Sequence, residues 1–432
     1  MKHRDIIGAL PPLCVAMLVC LLVGCDRREG GGGWFAPRMP ALTCLAEAIP
    51  AGADATEDDV AVVAEGMNAF TLDLYRRLAA EGGNVVASPA SVSLACGMAY
   101  AGARGETESQ MAAALHYNLP QDRLHPAVRT LASRLVGGQE SGGLRVANAM
   151  WLQSGYPLLP GFTEVVGRDY GAAAYAADFQ TDPAGATRSI NDWVRSATND
   201  RIRDLIQPDL SRDTRLVLAN AVHFLEAWEE PFERKMTEDG DFSTLDGRVV
   251  VAPMMHQREM HQYAETDDLQ AVWLRYRYPT HRAMLVLPRP GRLEAVEAAL
   301  TPQTLADLAA EAVWCDVDLT VPRFEFTAPS DLVQPLTDMG MVDAFDISRA
   351  DFSGMTSAER LFISRALHKA YIRFDEKGTE AAAATAVAME AAMAGDRVEF
   401  RADRPFLFLI EDEPVGVHLF IGRVADPTAS GP

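Results

Sequence analysis

The sequence predicts an α+β protein. Apolar residues recur at helical spacing through most of the chain up to about residue 206, and strand-type apolar runs dominate after it. The 432 residues are 48% hydrophobic and 23% charged, the composition of a folded globular chain.

Residues 60–80 place Phe70, Leu74 and Leu78 on one stripe, as an amphipathic helix requires. Ser88-Pro89 opens a second helix through Leu94, Met98 and Tyr100, with the proline in its first turn. A third is predicted over 106–115. A fourth covers 190–206, where Ile190, Trp193, Val194, Ala197 and Ile202 face one way. Residues 214–224 form a nearly unbroken apolar run, the pattern of a strand buried on both faces. Further strands are predicted over 271–276, 283–288, 316–326, 369–374 and 406–410.

Residues 26–58, rich in Gly, Pro, Ala and acidic side chains, predict a flexible linker, and 428–432 a short tail. With no internal repeat between them, 59–427 predicts one domain. Sixty acidic against 39 basic residues give a net charge of −21, which argues against binding nucleic acid, anionic lipid or heparin-like polymers. The six cysteines show no CxxC and no zinc-ligand spacing, and Cys96, set among Leu94, Ala95, Gly97 and Met98, predicts a small buried residue.

Residues 1–25 carry Lys2 and Arg4, an apolar run over 13–23 and then small residues. That is the order of an export signal, and the run is short for a membrane span. Its end, Leu22-Val23-Gly24-Cys25, resembles the lipobox of bacterial lipoproteins, which implies cleavage before Cys25 and acylation of that residue. A plain secretory signal is the alternative. Two acyl chains, at roughly 0.8 kcal/mol per buried methylene, would anchor the domain on the periplasmic or cell-surface side of a bacterial membrane.

Enzyme chemistry finds no footing. GxSxG, HExxH and P-loop motifs are absent, and the glycine run 30–33 lacks the strand and helix of a dinucleotide site. His256 and His261, with Glu259 between, would lie off a common helix face and predict a solvated loop. His223 and His368, in apolar runs, predict hydrogen-bonded structural histidines. Ser88 and Ser91 have no base in a recognised arrangement. The expectation is a protein that is not an enzyme and uses no metal or cofactor.

Glu376-Lys377-Gly378-Thr379-Glu380 is followed by Ala381, Ala382, Ala383 and Ala384, then Thr385, Ala386, Val387, Ala388 and Met389. By propensity this is a helix, with Thr379 available as its cap. A period of two is also present. Thr379, Ala381, Ala383, Thr385, Val387 and Met389 are small or apolar, and the alternate set is alanine between Glu380 and Glu390. No side chain from Gly378 to Ala388 is bulky enough to resist slipping between strands, so both readings stand and together they suggest a switch.

The run from Glu376 to Ala384 resembles the reactive-centre-loop hinge of inhibitory serpins. Asn84-Val85-Val86-Ala87-Ser88-Pro89-Ala90-Ser91 is similar to the start of the serpin central helix. Leu218-Ala219-Asn220-Ala221-Val222-His223-Phe224, with Trp228 and Pro231-Phe232, resembles the long central strand and the stretch after it. Asp351-Phe352-Ser353-Gly354-Met355, His368-Lys369 and Asp403-Arg404-Pro405-Phe406 complete the order. The resemblance spans about 60–427 and implies a serpin fold: helices on a large central mixed sheet, further sheets, and an exposed loop at about 376–403.

It also implies a function. A target serine or cysteine protease cleaves the loop and becomes acylated, and the loop's amino-terminal side then inserts into the central sheet, the stored-strain switch of this family. Gly378 and Thr379 would enter first. Ser88, Ser91, Asn220 and His368 would form the shutter where the sheet parts, Trp228 would pack where insertion begins, and Arg323 would pair with Glu376. Seventeen residues along, counting Glu376 as the first, the bait bond is Ala392-Met393; counted back from Pro405 it shifts to Met393-Ala394. A small or unbranched apolar residue there suits elastase-, subtilisin- or chymotrypsin-like proteases. The implied partner is the target protease in a covalent acyl complex with a monomeric inhibitor. The alternative is a non-inhibitory serpin-fold binding or storage protein, whose hinge would tend to carry bulky or charged residues.

Overall fold

The computed structural model of the chain describes residues 42–46, 54–136, 143–171, 174–358, 360–379 and 397–429. It begins with a two-residue strand, β1 (Thr43–Cys44), inside the segment expected as linker, and α1 (Glu57–Ala79) also starts within that segment. Thr56 caps α1 by accepting the Asp59 N–H at 3.2 Å. After β2 (Val85–Ala87), the Ser88 side chain accepts from the Ser91 N–H and Pro89 opens α2 (Pro89–Tyr100), where the sequence placed a helix. Every α2 residue but Leu94 is buried, so this helix has no solvent face. Gly97 is required there, because a Cβ would lie 2.6 Å from the Tyr170 hydroxyl.

Next come α3 (Gly105–Ala114), α4 (Gln121–Val136), β3 (Gly143–Gln153), α5 (Pro160–Asp169) and β4 (Ala174–Ala177). Then α6 (Pro183–Ala197) starts on its Asp182 cap and stops short of the expected 206. Asn199 and Asp200 take positive φ of 50° and 63° and end it. Ile202 and Ile206 still pack against α6, because Asn191 bonds both backbone groups of Ile206.

The apolar run becomes β5 (Leu216–Ala227). β6 (Glu238–Ser243), β7 (Val249–Glu265), β8 (Leu269–Arg275) and β9 (His281–Pro288) pair antiparallel in order. Helices α7 (Leu293–Ala299) and α8 (Pro302–Glu311) lead to β10 (Val313–Pro322) and β11 (Phe324–Asp331). The single strand expected over 316–326 is therefore two. Pro322 has no N–H, the Arg323 N–H goes to the Pro253 carbonyl at 2.8 Å, and the chain crosses there from one sheet to the other. After α9 (Val333–Asp338) come β12 (Ile363–Phe374), β13 (Gly378–Thr379), β14 (Arg397–Arg401), β15 (Phe406–Asp412) and β16 (Val417–Val424).

The main sheet has the order β1-β4-β3-β5-β12-β11, with β13 paired to β5; the second runs β14-β10-β7-β8-β9-β15-β16-β2, with β6 on β7. Alternate residues of β5 serve two cores. Leu216, Leu218, Val222 and Phe224 join the cluster shared with α2 and the second sheet, whereas Val217, Ala219 and Ala221 pack under Ile190 and Trp193 of α6. At the edge of the second sheet β14 exposes Arg397, Glu399 and Arg401, charges that discourage pairing with another chain.

Three histidine expectations change. His256 and His261 lie on β7, not in a loop, and being five apart on a strand they face opposite sides. His256 is 2.7 Å from Asp318, while burial pushes His261 down to about 4. His223 is fully buried, yet neither ring nitrogen has a hydrogen-bond partner among the described residues. Cys96 is buried, which pushes its thiol up to about 12.

Candidate functional site

β5 and β12 run parallel and are paired directly, from Leu216 opposite Ile363 to His223 opposite Tyr371. A polar cluster crosses this pair in mid-sheet. The Asn220 amide donates to Ser91 Oγ and to Asn148 Oδ1, and the Asn220 carbonyl oxygen meets His368 Nδ1. His368 Nε2 accepts the Ser88 N–H at 3.1 Å, so the ring proton sits on Nδ1 and is donated to Asn220. Burial holds His368 down at about 3, which keeps the imidazole neutral. Ser88 Oγ donates to the Leu419 carbonyl at 2.6 Å, and Asn148 Nδ2 to the Ser91 carbonyl at 3.2 Å. The cluster ties the start of α2 to β3, β5 and β12 of the main sheet and to β16 of the second. Removing any one member strands a buried donor or acceptor.

At one end of the same pair the strands separate and the chain turns back. Asp375 and Gly378 exchange backbone hydrogen bonds of 3.0 and 3.3 Å, and the Lys377 N–H donates to the Asp375 carboxylate at 2.9 Å. Gly378 and Thr379 then pair antiparallel with Ala227 and Glu226, beyond the last β5–β12 partners. Gly378 has φ of +148°, and a Cβ there would strike the Glu226 carbonyl oxygen, so only glycine fits. Thr379 is fully buried, with its hydroxyl 2.8 Å from that of Tyr276.

Aromatic packing frames this opening. Trp228 stacks on Tyr276 at 4.4 Å, donates its indole N–H to the Asp375 carbonyl at 3.0 Å and its backbone N–H to the Lys377 carbonyl at 3.0 Å. The Glu376 carboxylate accepts the Thr237 hydroxyl at 3.0 Å and lies 3.6 Å from Arg323. Directly behind β13, His281 sits between Glu226 at 2.7 Å and Asp412 at 3.4 Å, all three buried. Burial opposes a charge on His281, but the carboxylates of Asp412 and Glu226 outweigh it and hold the imidazole up at about 9. Burial also keeps Glu226 above the usual carboxylate range, against the pull of His281.

Ser88, Ser91, Asn220 and His368 thus meet in one cluster, and Trp228, Arg323, Glu376, Lys377, Gly378 and Thr379 in another. Sequence reasoning missed Asn148, whose signal was a lone amide in an apolar stretch. It also missed Tyr276 and the His281 group, whose members are too far apart in sequence to leave one. Glu380, Ala381, Ala382, Ala383 and Ala384, the bonds Ala392-Met393 and Met393-Ala394, and Cys25 lie outside the described residues.

Fold and site define a two-sheet α+β protein in which a turn over 375–378 brings the chain back against β5 at one end of the main sheet. The family described as Serpin (serine protease inhibitor) matches residues 65–427, and the chain belongs to it. An uncharacterized serpin-like protein of Thermococcus kodakarensis is 40% identical over 369 residues, covering 84% of this chain and 86% of that one. Leukocyte elastase inhibitor of Sus scrofa is 34% identical over 370 residues, 83% of this chain and 97% of its own. Among solved structures, human thyroxine-binding globulin superposes with a TM-score of 0.79 at 31% identity, covering 86% of this chain and all of that one (100%).

Proposed function

We propose that the chain inhibits serine proteases of elastase, subtilisin or chymotrypsin type by offering the segment after Thr379 as a substrate. Once cut, that segment enters the main sheet between β5 and β12, and the acylated protease is carried with it. The observation that supports this most strongly is β13, two residues of a strand already paired with β5 at the opening. Continued in the same register, Thr385 comes opposite Asn220 and Met389 opposite Leu216. Thr379, Ala381, Ala383, Thr385, Val387 and Met389 then face the second sheet, while Ala382, Ala384, Ala386 and Ala388 meet the α6 side, beside His223, Ala221, Ala219 and Val217 of β5. The entering strand must separate Asn220 from His368. About ten new backbone hydrogen bonds at roughly 1 kcal/mol each favour insertion, before any burial is counted.

The similarity to a leukocyte elastase inhibitor makes elastase the first protease to try. Incubation with elastase followed by a denaturing gel is expected to show a band that retains the protease. Simple cleavage with free, active elastase would refute the proposal. The likeness to thyroxine-binding globulin, solved in complex with thyroxine, supports a second reading as a non-inhibitory binding protein, and such a protein would give that second result. We further propose that the mature protein is exported and lipid-anchored through Cys25. Mass spectrometry of its amino-terminal peptide should find an acylated Cys25, and an unmodified peptide beginning elsewhere would refute the anchor.

A further inference from the structure

The start of β10 carries an apolar ledge. Trp314 there is 52% exposed, and Met260 on the neighbouring β7 is 37% exposed. Trp314 lies opposite Gln262 and Met260 opposite Asp316, so the two are diagonal neighbours on one face of the second sheet. Arg275 of β8 comes opposite Met260 when the β7–β8 register is continued from Trp273 and Gln262. Its side chain reaches across β7, and its guanidinium carbon sits 5.4 Å from the centre of the Trp314 ring. Arg275 has no carboxylate partner among the described residues. On the same face Arg258 and Arg397 are already paired, with Asp316 and Asp318. The ledge is thus an exposed indole, held in place by an unpaired cation, beside a flexible apolar side chain.

Its place in the fold says what would cover it. β10 and β14 run parallel, and their first partners are Asp316 and Arg397. Trp314 therefore stands about 7 Å past that pair, on the side from which the chain enters β14. Met393 is four residues before Arg397, no more than about 14 Å of chain. A protein partner of ordinary size covers about 800 Å² of its target, a disc about 16 Å in radius. A protease seated on the bond at 392–394 overhangs the ledge.

We propose that Trp314, Met260 and Arg275 form a docking surface for the target protease, a contact outside the bait loop. It meets the rim of the protease cleft on the side that holds the residues after the cut bond. The inference rests on the inhibitory reading and on a cut at 392–394. The partner chemistry it fits is an apolar patch against Trp314 and Met260 with a carboxylate beside it for Arg275, which can form that pair while still stacked on the indole. Trp and Arg are the side chains that most often dominate an interface, and an indole already held in place loses little freedom on docking. The ledge touches the protease only before the loop inserts, so it speeds capture and leaves the fate of the acyl complex unchanged.

Two readouts with elastase test this on the full-length protein: the second-order rate of inhibition and the final yield of covalent complex. Trp314→Ala should lower the rate about tenfold and Arg275→Gln about threefold, with the yield unchanged. Ile347→Ala removes a similarly exposed apolar side chain (56%) from the loop between α9 and β12, and should leave the rate as it was. Elastase with its active serine replaced by alanine should bind the natural protein about tenfold more tightly than Trp314→Ala, which separates docking from trapping. Equal rates for Trp314→Ala and the natural protein, with complex formed by both, would overturn the docking surface and leave the inhibitory reading intact. A lower yield at an unchanged rate would place Trp314 in the trapping step and overturn it as well. No complex from the natural protein would overturn the inhibitory reading, and the docking surface with it.

Discussion

Asn220 and His368 are register partners across the parallel β5–β12 pair, and their side chains are hydrogen-bonded to each other. The bond is a buried core contact in the closed sheet, and it lies on the path that a strand entering between β5 and β12 would take. Asn220→Ala leaves Ser91, Asn148 and His368 each short of a partner, a cost of about 1–3 kcal/mol. The intact protein should melt several degrees lower, measured by circular dichroism. An unchanged melt would mean that the cluster does not hold the sheet closed.

Thr379 is fully buried beside Tyr276, at the leading end of the proposed strand. Thr379→Arg should place an unpaired charge in that position and stall insertion. Elastase should still cleave the variant but be released, whereas Thr379→Ser, which keeps the hydroxyl, should retain most of the covalent complex. Equal complex from Thr379→Arg and the natural protein would sink the hinge assignment.

Gly378 fits its place only because it has no side chain. Gly378→Val should expel β13 from the opening, breaking the bond from the Trp228 N–H to the Lys377 carbonyl. Hydrogen exchange at the Trp228 amide should then speed up by tenfold or more, with amides in the middle of β5 unaffected.

His281 keeps its proton up to about 9 in the folded chain against an ordinary 6.5 in the unfolded one. Its contribution is complete below pH 6.5 and is lost as the pH rises through 9, and that separation is worth on the order of 3 kcal/mol. The raised Glu226 has the same sign at lower pH. The melting temperature should therefore fall between pH 7 and pH 10, and His281→Gln should flatten that fall while melting lower at pH 7. A natural protein whose melt does not change across this range would contradict the assignment.

The fold was legible where one signal controlled an element. Ser88-Pro89 marked the start of α2, and the apolar run marked β5, because capping and two-sided burial are written locally. The break within 316–326 is hidden because the hydrophobicity continues through Arg323, and only the missing N–H of Pro322 hints at the change of sheet. α4 is not marked off as a helix of its own, because Pro126 lies inside it. The polar cluster was reachable through family resemblance, whereas Glu226, His281 and Asp412 meet only through sheet pairing that no local pattern encodes.

If the closed main sheet stores free energy that cleavage releases, thermal melting of intact protein beside protein nicked within residues 380–396 reads it out. Roughly ten added hydrogen bonds at about 1 kcal/mol each should raise the melting temperature by at least about 10 °C after nicking. A nicked protein that melts at or below the temperature of the intact one would mean that the closed sheet stores no such energy.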